Sequence, residues 1–156
     1  MLHKIIATAL GAGYSPIAPG TAGALVAAVF LWLLQYCLGT QLPSPHGMPI
    51  LVLILVFVFT ALGIYASGVL EEEWGKDPGK IVIDEVVGMW ISMLWIPFTV
   101  KYLFIGFLLF RIFDIWKPWH VARAEHLPGG WGIMMDDVVA GLYACILMHL
   151  ILYIGW

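Results

Sequence analysis

The chain has 156 residues, 62% of them hydrophobic and 11% charged, with a formal net charge of −3. Soluble domains are roughly 45–50% apolar and about 25% charged, and one of this size buries only about 68–70% of its surface. With a mean hydropathy of +0.97, the surplus apolar surface calls for lipid as its solvent. The length suits a single domain, 1–156, and the weak net charge without a Lys/Arg stripe argues against nucleic acid.

In chain order, Met1 to Leu10 is short, and Gly, Ser and Pro follow where a cleavage site would stand, so it fits a signal peptide poorly. The next stretch is Gly11-Ala12-Gly13-Tyr14-Ser15-Pro16-Ile17-Ala18-Pro19-Gly20-Thr21-Ala22-Gly23. Its glycines and prolines exclude a regular helix before about Thr21. The Gly-Thr-Ala-Gly helix start offers free backbone N–H groups and a hydroxyl, an anion-binding arrangement. Segments long enough to span follow at about Ala22–Leu38 and Pro49–Val69, with a last one at Val138–Gly155. Each approaches the roughly 17–25 apolar residues that cross ~30 Å of hydrocarbon. Pro43–Pro49 reads as a turn and Glu71–Lys80 as a solvated charged loop.

Two shorter apolar runs, Val86–Pro97 and Tyr102–Phe110, reach a spanning length only if their helices also take in charged residues. The third helix would then begin at Ile81 and carry Asp84 and Glu85. The fourth would continue through Arg111 and Asp114 to about Lys117, where Pro118 stops it. The fifth could begin near Ile133, with Asp136 and Asp137 in its first turn at the positive end of the helix dipole. The expected architecture is all-α, a polytopic membrane bundle of about five embedded helices.

Threading five spans puts six of the seven basic residues (Lys4, Lys76, Lys80, Arg111, Lys117 and Arg123) and all ten acidic ones on the side of the N-terminus. Lys101 alone falls opposite. The positive-inside rule makes the crowded side cytoplasmic. Ionisable groups at that depth are costly, and they mark a functional site at the cytoplasmic interface.

Asp84, Gly88 and Ser92 recur at spacing four, a small polar-capable stripe that lets a neighbouring helix approach and turns Asp84 into the bundle. Asp137, Gly141 and Cys145 repeat the pattern after the glycine-rich loop Gly129-Gly130-Trp131-Gly132. Arg111, Asp114 and Lys117 recur at spacing three along one side of a helix end. An i,i+3 salt bridge is the plain explanation; a second cation beside one carboxylate is better explained by an anionic ligand. Asp84, Glu85, Asp114, Asp136 and Asp137 together offer a hard, all-oxygen ligand set suited to Mg²⁺ or Mn²⁺ and unsuited to zinc. The histidines form no ligand set: His46 lies opposite, His149 within the last span, and only His120 and His126 stand near enough to assist proton transfer. Cys37 and Cys145 sit in apolar runs and read as packing residues.

These pieces resemble the phosphatidylglycerophosphatase A family of bacterial membrane lipid phosphatases. The resemblance rests on Tyr14–Gly23, Ile83-Asp84-Glu85-Val86-Val87-Gly88-Met89-Trp90, Phe110–Trp119 and Gly130–Gly141, in family order. It implies a multihelical fold and Mg²⁺-dependent hydrolysis of phosphatidylglycerophosphate to phosphatidylglycerol and inorganic phosphate in the bacterial inner membrane. It assigns Asp84, Glu85, Asp114, Asp136 and Asp137 to the metal site, and Arg111 and Lys117 to phosphate. Ser15, Gly20 and Thr21 become the anion loop. Ala24 stands where the family often has Ser, so that hydroxyl is dispensable here, and the Glu71–Lys80 loop, Lys80 included, matches poorly.

The implied chemistry has a metal that neutralises phosphate charge and acidifies a water, with Arg111 and Lys117 stabilising the equatorial oxygens. Asp84 or Asp137 would take the water's proton or attack phosphorus directly. Two other classes compete. A CDP-alcohol phosphotransferase would carry a longer Asp-Gly…Ala-Arg…Gly…Asp…Asp pattern, which is lacking. An ion or proton pathway would spread its acids across the bilayer depth, and here all ten share one side.

Overall fold

A computed structural model describes residues 2–39, 47–75 and 78–155. The turn read at Pro43–Pro49 falls largely outside these residues, and so do Lys76, Asp77 and His46. Helix α1 (Leu2–Ala7) and a 3₁₀ turn (Ala12–Tyr14) lead into α2 (Pro19–Leu38), then α3 (Gly47–Trp74), α4 (Ile83–Ser92), α5 (Val100–Trp116), α6 (Trp119–Ala124) and α7 (Gly130–Tyr153). The described residues contain no strand.

Local chemistry sets these boundaries. Pro19 occupies the first position of α2, where its fixed φ suits the helix and its missing N–H costs nothing. Thr99 caps α5 by accepting from the Tyr102 N–H. Lys117 closes α5 at φ 47°, ahead of Pro118. Gly129, at φ 60° and ψ −147°, turns the chain into α7 as only glycine does readily.

Among the described residues three helices, not five, combine the length and apolarity needed to cross a membrane: α2, α3 and α7. Helix α4 has ten residues and reaches only about 15 Å at ~1.5 Å per residue. The chain beyond it continues as irregular backbone, with Trp95 at φ 58°, until Thr99 caps α5. Met93, Leu94, Ile96 and Phe98 are buried there, and irregular backbone survives at membrane depth only when protein covers it. Trp95–Phe98 meets the far ends of α2 and α3 at Gln35, Met48 and Pro49. Helix α5, with 17 residues, is long but not among the three.

Two other boundaries differ from expectation. Helix α3 runs on through Glu71–Glu73, so these are helical residues rather than a loop. Helix α7 starts at Gly130 instead of near Ile133, which moves Asp136 and Asp137 out of the first turn. Gly130 permits this, because a Cβ there would collide with the Ile64 carbonyl of α3 and lie 2.8 Å from the Gly68 nitrogen.

Packing relies on small residues. Ala24, Ala27, Ala28 and Leu31 form the buried stripe of α2. Trp90 of α4 wedges between Phe30 of α2 and Phe59 of α3, with ring centroids 5.2 and 5.3 Å away. Outward faces carry residues such as Ile54, Phe57, Leu142 and Ile146, all exposed and apolar as lipid requires.

Candidate active site

Helices α4 and α7 cross at a pair of glycines. A Cβ on Gly141 would stand 3.1 Å from the Gly88 Cα, and one on Gly88 would stand 2.8 Å from the Asp137 carbonyl oxygen. Each glycine follows a carboxylate by one helical turn. The close approach therefore sets Asp84 abreast of Asp137, and Glu85 joins them: ligand atoms of the three lie within 4.8 Å of one another.

These groups open onto a cavity of about 500 Å³. Its wall takes Gly20 from the start of α2, Glu71 from the end of α3, and Arg111, Asp114 and Lys117 from the end of α5. Eight of the ten predicted metal and phosphate residues (Gly20, Asp84, Glu85, Arg111, Asp114, Lys117, Asp136, Asp137) therefore share one cavity at one end of the bundle. The charged ones fall into two groups. Arg111 Nη1 pairs with Asp114 Oδ2, the i,i+3 bridge ranked behind an anionic ligand on sequence grounds. Lys117 Nζ lies 3.0 Å from Asp136 Oδ2 and 2.9 Å from Glu125 Oε2. Burial works against the charge on Lys117, but the two carboxylates outweigh it and hold its ammonium above the ordinary lysine range. Asp136 Oδ1 also accepts from the Asp137 N–H at 3.0 Å.

Among the described residues, Asp114 and Asp136 are thus ion-paired, whereas Asp84, Glu85 and Asp137 form no salt bridge, although the Arg111 guanidinium stands near Glu85. Asp84 Oδ1 and Glu85 Oε2 are buried and, among the described residues, without a hydrogen-bond partner. Crowded carboxylates with orphaned buried oxygens repel one another unless a cation sits among them, and an all-oxygen set fits a hard divalent ion such as Mg²⁺.

Gly20 serves this trio by lacking a side chain. A Cβ there would collide with Glu85 Oε1 and approach Arg111 Nη1 to 3.2 Å. Ser15 and Thr21 stand outside the cavity wall. The Ser15 hydroxyl donates to the Ile17 carbonyl at 3.0 Å. Of the two histidines, His126 lines the cavity, while His120 Nδ1 lies 2.5 Å from the Tyr143 hydroxyl, away from it. Lys80 Nζ sits over the rings of Trp74 and Tyr14, at 5.7 and 5.9 Å. Sequence reasoning missed Glu125 and Glu71 as wall residues. The break at Pro118 was the available signal for Glu125, since a short α6 after it returns the chain to Lys117.

A model of the family described as Phosphatidylglycerophosphatase A matches residues 5–152. The chain belongs to the phosphatidylglycerophosphatase A family. Proteins named phosphatidylglycerophosphatase A from Escherichia coli and Haemophilus influenzae are 37% and 36% identical to it. Those matches cover 94% and 96% of this chain, and 81% and 88% of the relatives. A Bacteroides thetaiotaomicron protein, whose name proposes a phosphatidylinositol-3-phosphatase, is 44% identical over 94% of this chain and 91% of its own length. No solved structure matches the chain significantly. As a phosphatidylglycerophosphatase A relative, the protein is a phosphatase, and its three long apolar helices make it a membrane protein.

Proposed function

We propose that the protein is a Mg²⁺-dependent phosphatidylglycerophosphatase of the bacterial cytoplasmic membrane, releasing inorganic phosphate from phosphatidylglycerophosphate at a site facing the cytoplasm. The observation that carries this is the trio Asp84, Glu85 and Asp137, drawn within 4.8 Å in a cavity that also holds Arg111 and Lys117. Asp84, Glu85 and Asp137 would hold the cation, which when bound supplies charge neutralisation and a more acidic water. Arg111 presents a planar fork and Lys117 a point charge to the non-bridging oxygens of the phosphate, where charge gathers as the ester bond breaks. The attacking water gives its proton to a cavity carboxylate, Asp84 or Asp137. The phosphorus–oxygen bond to the glycerol breaks, and that oxygen takes up the proton held by this carboxylate to leave as phosphatidylglycerol. Direct attack by one of these carboxylates is the other route, and a trapped aspartyl-phosphate would establish it.

Asp136 holds Lys117 in place, and Asp114 does the same for Arg111. The bundle end as a whole suits a lipid headgroup. Trp116, Trp119 and Trp131 are exposed near it, as side chains of the membrane interface are. The test is phosphate release from a panel containing phosphatidylglycerophosphate, phosphatidic acid and phosphatidylinositol 3-phosphate, with Mg²⁺ and with EDTA. Release from phosphatidylglycerophosphate should exceed the others and stop in EDTA. Preference for phosphatidylinositol 3-phosphate, the substrate in the name of the Bacteroides relative, would replace the substrate proposed here. Full activity in EDTA would remove the metal from the proposal.

A further inference from the structure

Beside the catalytic cavity, the seam between α2 and α5 carries an apolar groove of about 340 Å³, walled by Leu25, Val29 and Trp32 on α2 and by Val100, Phe104 and Phe107 on α5. Its floor is made of the buried Ala28 and Leu103. The two helices run antiparallel along this seam. Descending α2 passes Gly20, Leu25, Val29 and Trp32, while the facing positions on α5 are Arg111, Phe107, Phe104 and Val100. Gly20 and Arg111 belong to the catalytic cavity, and a Cβ on Gly20 would stand 3.2 Å from Arg111 Nη1. Cavity and groove are therefore successive stretches of one seam. Ile115, one turn beyond Arg111 on α5, lies in the cavity wall and is 72% exposed.

We infer that this groove seats an acyl chain of the lipid substrate while its phosphate lies in the cavity. The inference rests on the proposed lipid-phosphatase function and names the part of the substrate that α2 and α5 recognise. Length and chemistry both fit. From Gly20 to Trp32 the helix rises about 18 Å, close to the half-thickness, about 15 Å, of the hydrocarbon core. No charged side chain lines the groove. A chain in lipid gains little from the hydrophobic effect on entering it, so the groove would act through van der Waals fit and would orient the headgroup toward Arg111.

The test compares dioleoyl with dihexanoyl phosphatidylglycerophosphate, whose six-carbon chains fall short of the lower groove, in detergent-purified full-length protein. Val29→Trp and, from the opposite wall, Phe104→Trp obstruct the groove; Ile146→Trp places the same bulk on the lipid face of α7. Both groove variants should lower kcat/KM for the dioleoyl substrate at least about fivefold and leave the dihexanoyl value unchanged, with Ile146→Trp altering neither. Equal losses on both substrates, or no loss on the dioleoyl one, would overturn the inference. An unchanged dioleoyl rate together with a change in oligomeric state would assign the groove to a second copy of the chain. Wild-type protein that hydrolyses neither substrate would instead overturn the underlying function.

Discussion

Lys117 carries two ion pairs of unequal weight. Both partners line the cavity, but Asp136 is buried, whereas the Glu125 side chain is 44% exposed. An exposed pair contributes about 0–1 kcal/mol, while a cation placed where charge develops in the transition state is worth about 10²–10³ in rate. Lys117→Met should therefore lower kcat by about 10²–10³, and Glu125→Gln by less than about fivefold, in the same phosphate-release assay. A Glu125→Gln loss as large as that of Lys117→Met would mean that Glu125 contacts substrate itself. At this scale the acids were legible in the sequence, because Asp84 and Asp137 each precede a glycine by one turn and so face a neighbouring helix. Glu125 was not, because its meeting with Lys117 depends on how six residues of α6 turn back after Pro118. The Thr21 hydroxyl was anticipated from the Gly-Thr-Ala-Gly helix start and Ser15 from the family resemblance, but Ala18 adopts a left-handed conformation and the cavity wall takes Gly20, not those side chains.

Among the elements, the α4–α7 crossing decides the geometry of the site. The Gly88–Gly141 contact leaves no space for a methyl group on either side. Overpacking of this kind typically costs about 1–3 kcal/mol. Gly141→Ala should accordingly lower the unfolding temperature in detergent and, by pushing α4 from α7, separate Asp84 from Asp137 and lower phosphate release. Unchanged stability and activity would show that the two backbones are farther apart than described. The long helices were legible from apolar length alone. Helix α4 was expected to run on toward Pro97, because its apolar pattern continues unbroken past Ser92. The helix ends there all the same: the Ser92 hydroxyl bonds back to the Met89 carbonyl at 2.7 Å, and the segment beyond turns through Trp95. Burial of that segment against α2 and α3 is a tertiary effect that local pattern does not report.

Across the described residues, charge other than Lys101 is withdrawn from the lipid-facing surface and gathered at one end. Every acid and cation that the site needs lies in the first half of α4 or α7 or at the ends of α3 and α5. This arrangement predicts a fixed orientation. In a Cys37→Ala/Cys145→Ala background, a cysteine placed at Pro128, beside the cavity, should react with a membrane-impermeant thiol reagent from the cytoplasmic side only. One at Gly155, past the far end of α7, should react only from the opposite side. The reverse pattern would place the site outside the cytoplasm. The convergence of charge on one face was legible from the positions of charged residues between apolar runs. The division of the five acids into two that are ion-paired and three that form no salt bridge among the described residues was not, since it depends on which carboxylates Arg111 and Lys117 reach.

Divalent-cation binding by the Asp84–Glu85–Asp137 trio is the proposal on which the rest depends. It is tested most directly by titrating Mn²⁺ into the purified protein and into its Asp84→Asn and Asp137→Asn variants, with bound ion followed by electron paramagnetic resonance. The wild type should bind Mn²⁺ in competition with Mg²⁺, and each variant should bind at least about tenfold more weakly. Equal Mn²⁺ affinity in the wild type and both variants would contradict the account.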